Sequence, residues 1–434
     1  MKFRSTRGGP SVSLDQALLQ GLASDGGLFV PENLPQFEQD AFEDAASLQH
    51  IAEAYLRPFF ADSSLLPALP EIVAETFSFD IPLVDLAPVL ASPVSVLELF
   101  HGPTAAFKDV GAGFLAACLT RLDASTDDRR PLTILVATSG DTGGAVAAAF
   151  HQRAGVDVVV LFPEGRVSPR QQHQLTCWGD NVQALAVRGD FDDCQAFVKK
   201  AFTDPSLAES FRFSSANSIN IGRLLPQSVY YAYAALRYFR ETGRRLSWMI
   251  PTGNLGNGLA AVLARACGLP LGDIVFVTNA NRTVPDYFTS GVYAGRPGQA
   301  TLASAMDVGD PSNMERLRHL FGERDSLVAG GLSATSVDDT AIELQIQRDY
   351  KRLPFAWCPH SATAMYAWEH LDDARRSKDW ALVATAHPAK FDTIVEPLVG
   401  TTVAMPAALA ALMERPAAFT TIAPTVAALR EAMA

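Results

Sequence analysis

His101-Gly102-Pro103-Thr104-Ala105-Ala106-Phe107-Lys108-Asp109 sets a single lysine at the end of a Gly-Pro turn built from small residues. From Val110 to Leu122 apolar side chains recur at helical spacing, so Lys108 falls where a turn hands over to a helix. The field at a helix start favours anions. An ammonium group held there behind Phe107 is destabilised relative to the free amine, which is then a usable nucleophile. The competing reading is a surface lysine whose stem lies along a helix end. The stretch alone leaves both open.

Four other stretches carry groups that bind anions or polar rings. Gly253-Asn254-Leu255-Gly256-Asn257-Gly258 follows a predicted strand and opens a predicted helix, where backbone N–H groups converge on a phosphate. It is neither G-x-G-x-x-G nor a P-loop with its lysine, so dinucleotides and nucleoside triphosphates are not indicated. Ser139-Gly140-Asp141-Thr142-Gly143-Gly144 offers hydroxyls and N–H groups suited to a carboxylate, although Asp141 repels an anion unless it points elsewhere. Ser214 to Asn220, with Arg223, gathers hydroxyl, amide and guanidinium groups suited to phosphate. Thr385-Ala386-His387-Pro388 places a hydroxyl where it can meet a ring nitrogen without imposing charge. Each also reads as an ordinary strand–helix turn or self-satisfied polar loop. His101, His360 and His387 read as structural histidines rather than bases. No metal-ligand spacing and no G-x-S-x-G elbow is present.

The elements that must position these groups alternate. Strands are predicted at 94–100, 133–137, 156–162, 184–187, 211–213, 246–250, 274–278 and 381–385, with helices between them, the longest over 225–242. That pattern implies right-handed crossovers and mainly parallel sheets covered on both faces. Ligand sites then lie at the carboxyl ends of the strands, where every stretch named above falls. Before residue 94 the chain reads differently: a Ser13-capped helix, a short strand over 28–31, helical patterning over 40–78 and a proline-spaced connection over 80–93. Residues 280–312 are Gly/Pro-punctuated and read as an irregular loop over the site, able to act as a gate. A further helix is predicted over 337–352.

Composition bounds the rest. At 434 residues two or three domains are expected, and 48% hydrophobic residues supply their cores. A formal net charge of −12 argues against a nucleic-acid partner. Five cysteines without framework spacing, no apolar leader and no long apolar run point to a cytoplasmic protein with no membrane association.

One lysine, two Gly-rich anion cradles and a terminal hydroxyl together suggest a phosphate-bearing aldehyde cofactor on a Schiff-base lysine, pyridoxal 5′-phosphate. The same residues resemble the threonine synthase family of fold-type II pyridoxal-phosphate enzymes. His101 to Asp109 matches the family's H-G-P-T-x-A-F-K-D, and Ala137 to Gly143, Ser215 to Ile221, Ala305 to Val308, Thr385 to Phe391 and Gly26 to Pro31 match further motifs. The resemblance covers nearly the whole chain and is closest to the longer subgroup with an extra N-terminal domain. It implies two open, mainly parallel sheets covered by helices plus a mixed α/β N-terminal domain. Expected boundaries are 1–93 for that domain, 94–127 and 225–434 for a large cofactor-binding domain, and 128–224 for a small one.

The implied reaction converts O-phospho-L-homoserine and water to L-threonine and phosphate, in a monomer or homodimer. By the same resemblance Lys108 is the Schiff-base lysine and acid/base. Gly253, Asn254, Leu255, Gly256 and Asn257 hold the cofactor phosphate, Thr385 lies near the ring nitrogen, and Asp141 stands where many relatives put an asparagine beside the 3′-oxygen. Ser139, Thr142 and Gly143 face the substrate carboxylate. Asn217, Asn220 and Arg223 are candidates for the substrate phosphate, and no metal is expected. Two departures stand out: Pro251-Thr252-Gly253-Asn254-Leu255-Gly256-Asn257 replaces the more common P-S-G-N-F-G-D, and Ser361 stands where alanine is common. Rival readings are a β-eliminating or β-replacing enzyme of the same fold, such as a threonine dehydratase or cysteine synthase, and a catalytically idle cofactor-binding protein.

Overall fold

The computed structural model describes residues 1–124, 128 and 130–433. At the N-terminus Lys2–Ser5 pairs antiparallel with Val12–Ser13 and Phe29–Pro31. The helix Leu14–Gln20 starts in a capping box, in which Ser13 and Gln16 satisfy each other's backbone N–H groups. Helices Leu48–Leu56 and Leu69–Thr76 bury one apolar face each.

The remainder is built on two open sheets. The larger has the spatial order Leu332–Ser336, Leu271–Thr278, Leu246–Pro251, Trp380–Ala384, Val94–Glu98, Leu83–Asp85, and is parallel except at its last edge. The smaller is wholly parallel, in the order Thr420–Ile422, Val182–Val187, Val156–Pro163, Leu132–Ala137, Arg212–Ser214. Every residue of the central strands Leu132–Ala137, Leu246–Pro251 and Trp380–Ala384 is buried. Their near-continuous apolar runs are what a parallel sheet covered on both faces requires. One core runs from Ile51 and Tyr55 through Val229 and Tyr230 of the helix Ile221–Thr242 to Ile134 and Val160 of the smaller sheet and Trp248 and Ile250 of the larger.

Four expectations need correction. The connection over 80–93 contains the strand Leu83–Asp85, which pairs antiparallel with Val94–Glu98; Pro82, Pro88 and Pro93 lie outside it and leave its ladder intact. The C-terminal Thr420–Ile422 joins the smaller sheet beside Val182–Val187, so the tail does not stay with the larger one. Residues 280–312 include the helix Thr283–Ser290. The long helix begins at Ile221 and continues through Pro226, which in sequence reads as a first-turn proline.

Arg316 ties these parts together. It is fully buried. Its guanidinium donates to the Phe29 carbonyl at 3.0 Å, Asn313 Oδ1 at 2.8 Å, the Ile219 carbonyl at 2.6 Å and the Ser218 carbonyl at 3.3 Å. Arg316→Leu leaves several buried acceptors without a donor, and the protein is expected to lose about 3 kcal/mol or more of unfolding free energy. Urea denaturation measures this; an unchanged midpoint refutes the role assigned to Arg316.

Candidate active site

Lys108 is the first residue of the helix Lys108–Asp123. The turn before it is stitched to the carboxyl end of the strand Trp380–Ala384. Ala106 and Ala386 form an antiparallel bridge, the Phe107 N–H donates to the Thr385 carbonyl at 2.8 Å, and the His387 N–H donates to the Ala105 carbonyl at 3.0 Å. Ala105 takes φ +54° to make the turn. Buried Asp109 closes it from the other side by accepting the Thr104 N–H at 2.9 Å, so its carboxylate braces the turn rather than only complementing the helix dipole. Lys108 itself is half-buried and its Nζ makes no hydrogen bond within the described protein. Burial lowers its amine from 10.5 to about 8, with Arg223 and Lys390 adding to the effect and Asp141 opposing it.

The Gly253 loop follows the strand Leu246–Pro251 and leads into the helix Gly256–Ala266. Leu255 adopts φ +63° at the junction. The backbone N–H groups of residues 253–257 donate to no protein group among the described residues. The side chains are occupied elsewhere. Asn254 donates to Ser218 Oγ at 2.5 Å and accepts the Ser312 N–H at 2.6 Å. Asn257 Oδ1 accepts the hydroxyls of Tyr230 and Tyr231 at 2.6 and 2.8 Å. A Cβ on Gly253 would stand 2.7 Å from Met306 Cα, so only glycine fits. Unpartnered N–H groups at a helix N-terminus, braced from behind by both asparagines, suit a phosphate. Together with the lowered amine of Lys108 they fit pyridoxal 5′-phosphate.

In the second cradle Thr138 Oγ1 accepts the N–H groups of Gly140 and Gly143, each at 2.9 Å. Gly143 therefore has no free N–H for a carboxylate, contrary to expectation. Ser139 and Thr142 are half-buried, and neither hydroxyl is engaged within the described protein. Asp141 is buried and does point elsewhere: its Oδ1 forms an ion pair with Lys390 Nζ at 2.9 Å and accepts Gln171 Nε2 at 3.0 Å. Burial alone would raise the Asp141 carboxyl; Lys390, then Lys108 and His360, outweigh it and hold it well below the usual carboxylate range. Lys390 lies within the Thr385 to Phe391 motif, yet sequence reasoning gave it no role. A salt bridge between residues so far apart in the chain leaves no trace in spacing.

Of the three groups read as phosphate candidates, the structure separates one from the others. Asn220 caps the helix Ile221–Thr242: its Oδ1 accepts the Gly222 N–H at 2.9 Å, and its Nδ2 donates to the carbonyls of Leu18 at 2.9 Å and Ser215 at 3.1 Å. It has no donor left for a ligand. Arg223 donates through Nη1 to the Ala216 carbonyl, but its Nε is buried without a partner, as is Asn217 Oδ1. Burial lowers the Arg223 guanidinium to about 10, with Asp109 opposing.

Thr385 keeps its hydroxyl unengaged within the described protein, while its N–H donates to Ser361 Oγ at 3.0 Å. The serine in place of the common alanine thus fixes the end of the strand that carries Thr385. His360 Nε2 accepts the Ala305 N–H at 3.0 Å and His387 Nδ1 accepts the Ala389 N–H at 3.2 Å. Burial lowers each to about 4, so both are neutral structural caps. His101 lies at the surface, 2.7 Å from Glu98.

The segment 280–312 is cross-tied by side-chain hydrogen bonds. Asp307 accepts from Asn279 Nδ2 and Thr301 Oγ1, both at 2.7 Å; Asn281 Oδ1 accepts the Gln299 N–H at 2.9 Å; Arg296 donates to Asp286 at 2.6 Å. Among the described residues no cluster of His, Cys, Asp and Glu could hold a metal ion, and no helix is long and apolar enough to cross a membrane.

Known proteins share this chemistry and this fold. A family profile described as "Pyridoxal-phosphate dependent enzyme" matches residues 80–389, one described as "Threonine synthase N terminus" matches 2–77, and one described as "Threonine synthase, C-terminal" matches 361–433. The threonine synthase of Escherichia coli is 40% identical over 97% of this chain and 96% of its own length. A crystal structure of PLP-bound threonine synthase from Brucella melitensis superposes with a TM-score of 0.89 at 36% identity, covering 99% of this chain and 98% of the other. The threonine synthase structure from yeast gives 0.90 at 30% identity, covering 100% and 98%. The chain belongs to the threonine synthase family of pyridoxal-phosphate-dependent enzymes.

Proposed function

We propose that this chain is a threonine synthase that converts O-phospho-L-homoserine and water to L-threonine and phosphate by γ-elimination and β-hydration, in the cytoplasm and as a monomer or homodimer. The observation that carries the residue assignments is a half-buried amine lowered to about 8 at the end of Trp380–Ala384, next to the strand Leu246–Pro251, whose following loop leaves the N–H groups of 253–257 without a partner among the described residues. Its cysteines, all free and buried, agree with a reducing compartment.

Pyridoxal 5′-phosphate, when bound, supplies an electron sink for charge developing at the substrate's α-carbon. The protein's own groups do the rest. The N–H groups of Gly253, Asn254, Leu255, Gly256 and Asn257 would hold the cofactor phosphate, and the Thr385 hydroxyl would meet the ring nitrogen without adding charge. Ser139 and Thr142 would take the substrate carboxylate. Arg223, whose buried Nε has no partner among the described residues, and Asn217, whose Nδ2 makes no hydrogen bond within the described protein, would take the phosphate that leaves from Cγ. Lys108 would anchor the cofactor and then, as a free amine near neutral pH, move protons at Cα, Cβ and Cγ. Asp141 would remain an anion throughout, because Lys390 holds its charge.

The β-eliminating and β-replacing rivals need no site for a substrate phosphate, and the buried guanidinium of Arg223 favours the phosphorylated substrate over theirs. Purified protein given O-phosphohomoserine is expected to release phosphate and threonine in equal amounts; cofactor-loaded protein that forms neither sinks the reading. Lys108→Ala is expected to lose about a thousandfold or more in kcat. Arg223→Lys keeps the charge but loses the planar fork, so kcat/KM for O-phosphohomoserine should fall about a hundredfold with cofactor content unchanged. Parent-like kcat/KM in that variant removes Arg223 from the substrate site.

A further inference from the structure

We propose that Lys390 is a positioning residue that keeps Lys108 available as a free amine by occupying Asp141, the carboxylate that faces both lysines. The inference rests on Lys108 being the amine that takes the cofactor. It goes beyond that assignment in saying why the amine is free.

The two lysines are treated unequally. Lys390 is 1% exposed, and its Nζ forms an ion pair with Asp141 Oδ1 at 2.9 Å and donates to the Thr104 carbonyl at 2.6 Å. Lys108 Nζ makes no hydrogen bond within the described protein and lies 5.9 Å from the centre of the Phe107 ring. Gln171, 3% exposed, fixes the same Asp141 oxygen from the helix Pro169–Thr176, and Gln174 of that helix donates to the Thr104 carbonyl at 3.2 Å. Both partners sit on Asp141 Oδ1, and among the described residues the carboxylate pairs with Lys390 and not with Lys108.

The charged and titratable groups facing Lys108 can be named element by element. Asp141 stands on the helix Asp141–Phe150, Arg223 on Ile221–Thr242, Lys390 on the turn Pro388–Phe391, and His360 on Pro359–Glu369. Of these only Asp141 favours an ammonium on Lys108; Arg223 and Lys390 disfavour it. His360 is neutral. A buried carboxylate needs a cation. If Lys390 did not supply it, Lys108 would be drawn to Asp141 and keep its proton, and a protonated amine cannot attack an aldehyde. Lys390 acts on the chemistry through Asp141 and need not touch the substrate.

The test measures how fast cofactor-free, full-length protein captures pyridoxal 5′-phosphate as pH is varied around the parent midpoint of about 8. In that step the amine lone pair adds to the aldehyde carbon and water leaves. Lys390→Met should move the midpoint upward and slow capture about tenfold at pH values below it, the factor carried by one pKa unit. The double variant Asp141→Asn/Lys390→Met removes the attraction and the repulsion together, and capture should return to within about threefold of the parent. Asp141→Asn alone should speed capture below the midpoint, which keeps the question answerable if Lys390→Met does not fold. A Lys390→Met profile that superimposes on the parent's, in protein that melts like the parent, overturns the proposal. So does a double variant as slow as the single one. If Lys108→Ala captures cofactor normally, the assignment of Lys108 falls as well, which separates that failure from the others.

Discussion

The short ladder between Ala105–Phe107 and Thr385–His387 is the contact on which the site depends. Two backbone hydrogen bonds, which make the Ala106–Ala386 bridge, join the turn that carries Lys108 to the end of a central strand whose every residue is buried. Backbone contacts constrain position more tightly than side-chain contacts, because no rotamer freedom intervenes. The amine and the Thr385 hydroxyl consequently share one rigid support, although they lie far apart in sequence. The unusual φ of Ala105 is the local strain this arrangement tolerates.

Around that support the site manages charge in a water-poor interior. Lys108, Arg223, Lys390 and Asp141 all face one region, three cations against one anion, and His360 adds no charge because burial keeps it neutral. A surplus of positive groups is the condition under which an amine gives up its proton. The same surplus suits a cofactor and a substrate that each bring a phosphate. Asp109 meets Arg223 and Lys390 from the turn side, with its carboxylate committed to Thr104 and its pKa raised by burial.

Much of the architecture was readable from sequence because parallel strands buried on both faces leave unbroken apolar runs, and the glycine-rich turns that follow them are distinctive. Lys108, the Gly253 loop and Thr385 were singled out for that reason. The errors share a different cause. Asn220 and Gly143 have the right chemistry and stand in the right loops, but their groups are consumed by a helix cap and by Thr138 Oγ1. Lys390 was passed over although it lies inside a matched motif, because its partner Asp141 lies far away in the sequence. Short edge strands such as Leu83–Asp85 and Thr420–Ile422 carry too few residues to show alternation, and their pairing is decided by tertiary context.

The return of Thr420–Ile422 to the smaller sheet has a consequence for biosynthesis. The chain builds most of that sheet between residues 132 and 214, crosses to the larger sheet, and supplies the last strand only near its C-terminus. While the polypeptide is being made, the outer edge of Val182–Val187 stays open through the translation of some two hundred further residues. An open parallel edge is a template for pairing with another chain. The strand that emerges last therefore also acts as the fold's own edge protection, and nascent chains stalled short of it are the ones most exposed to misassembly.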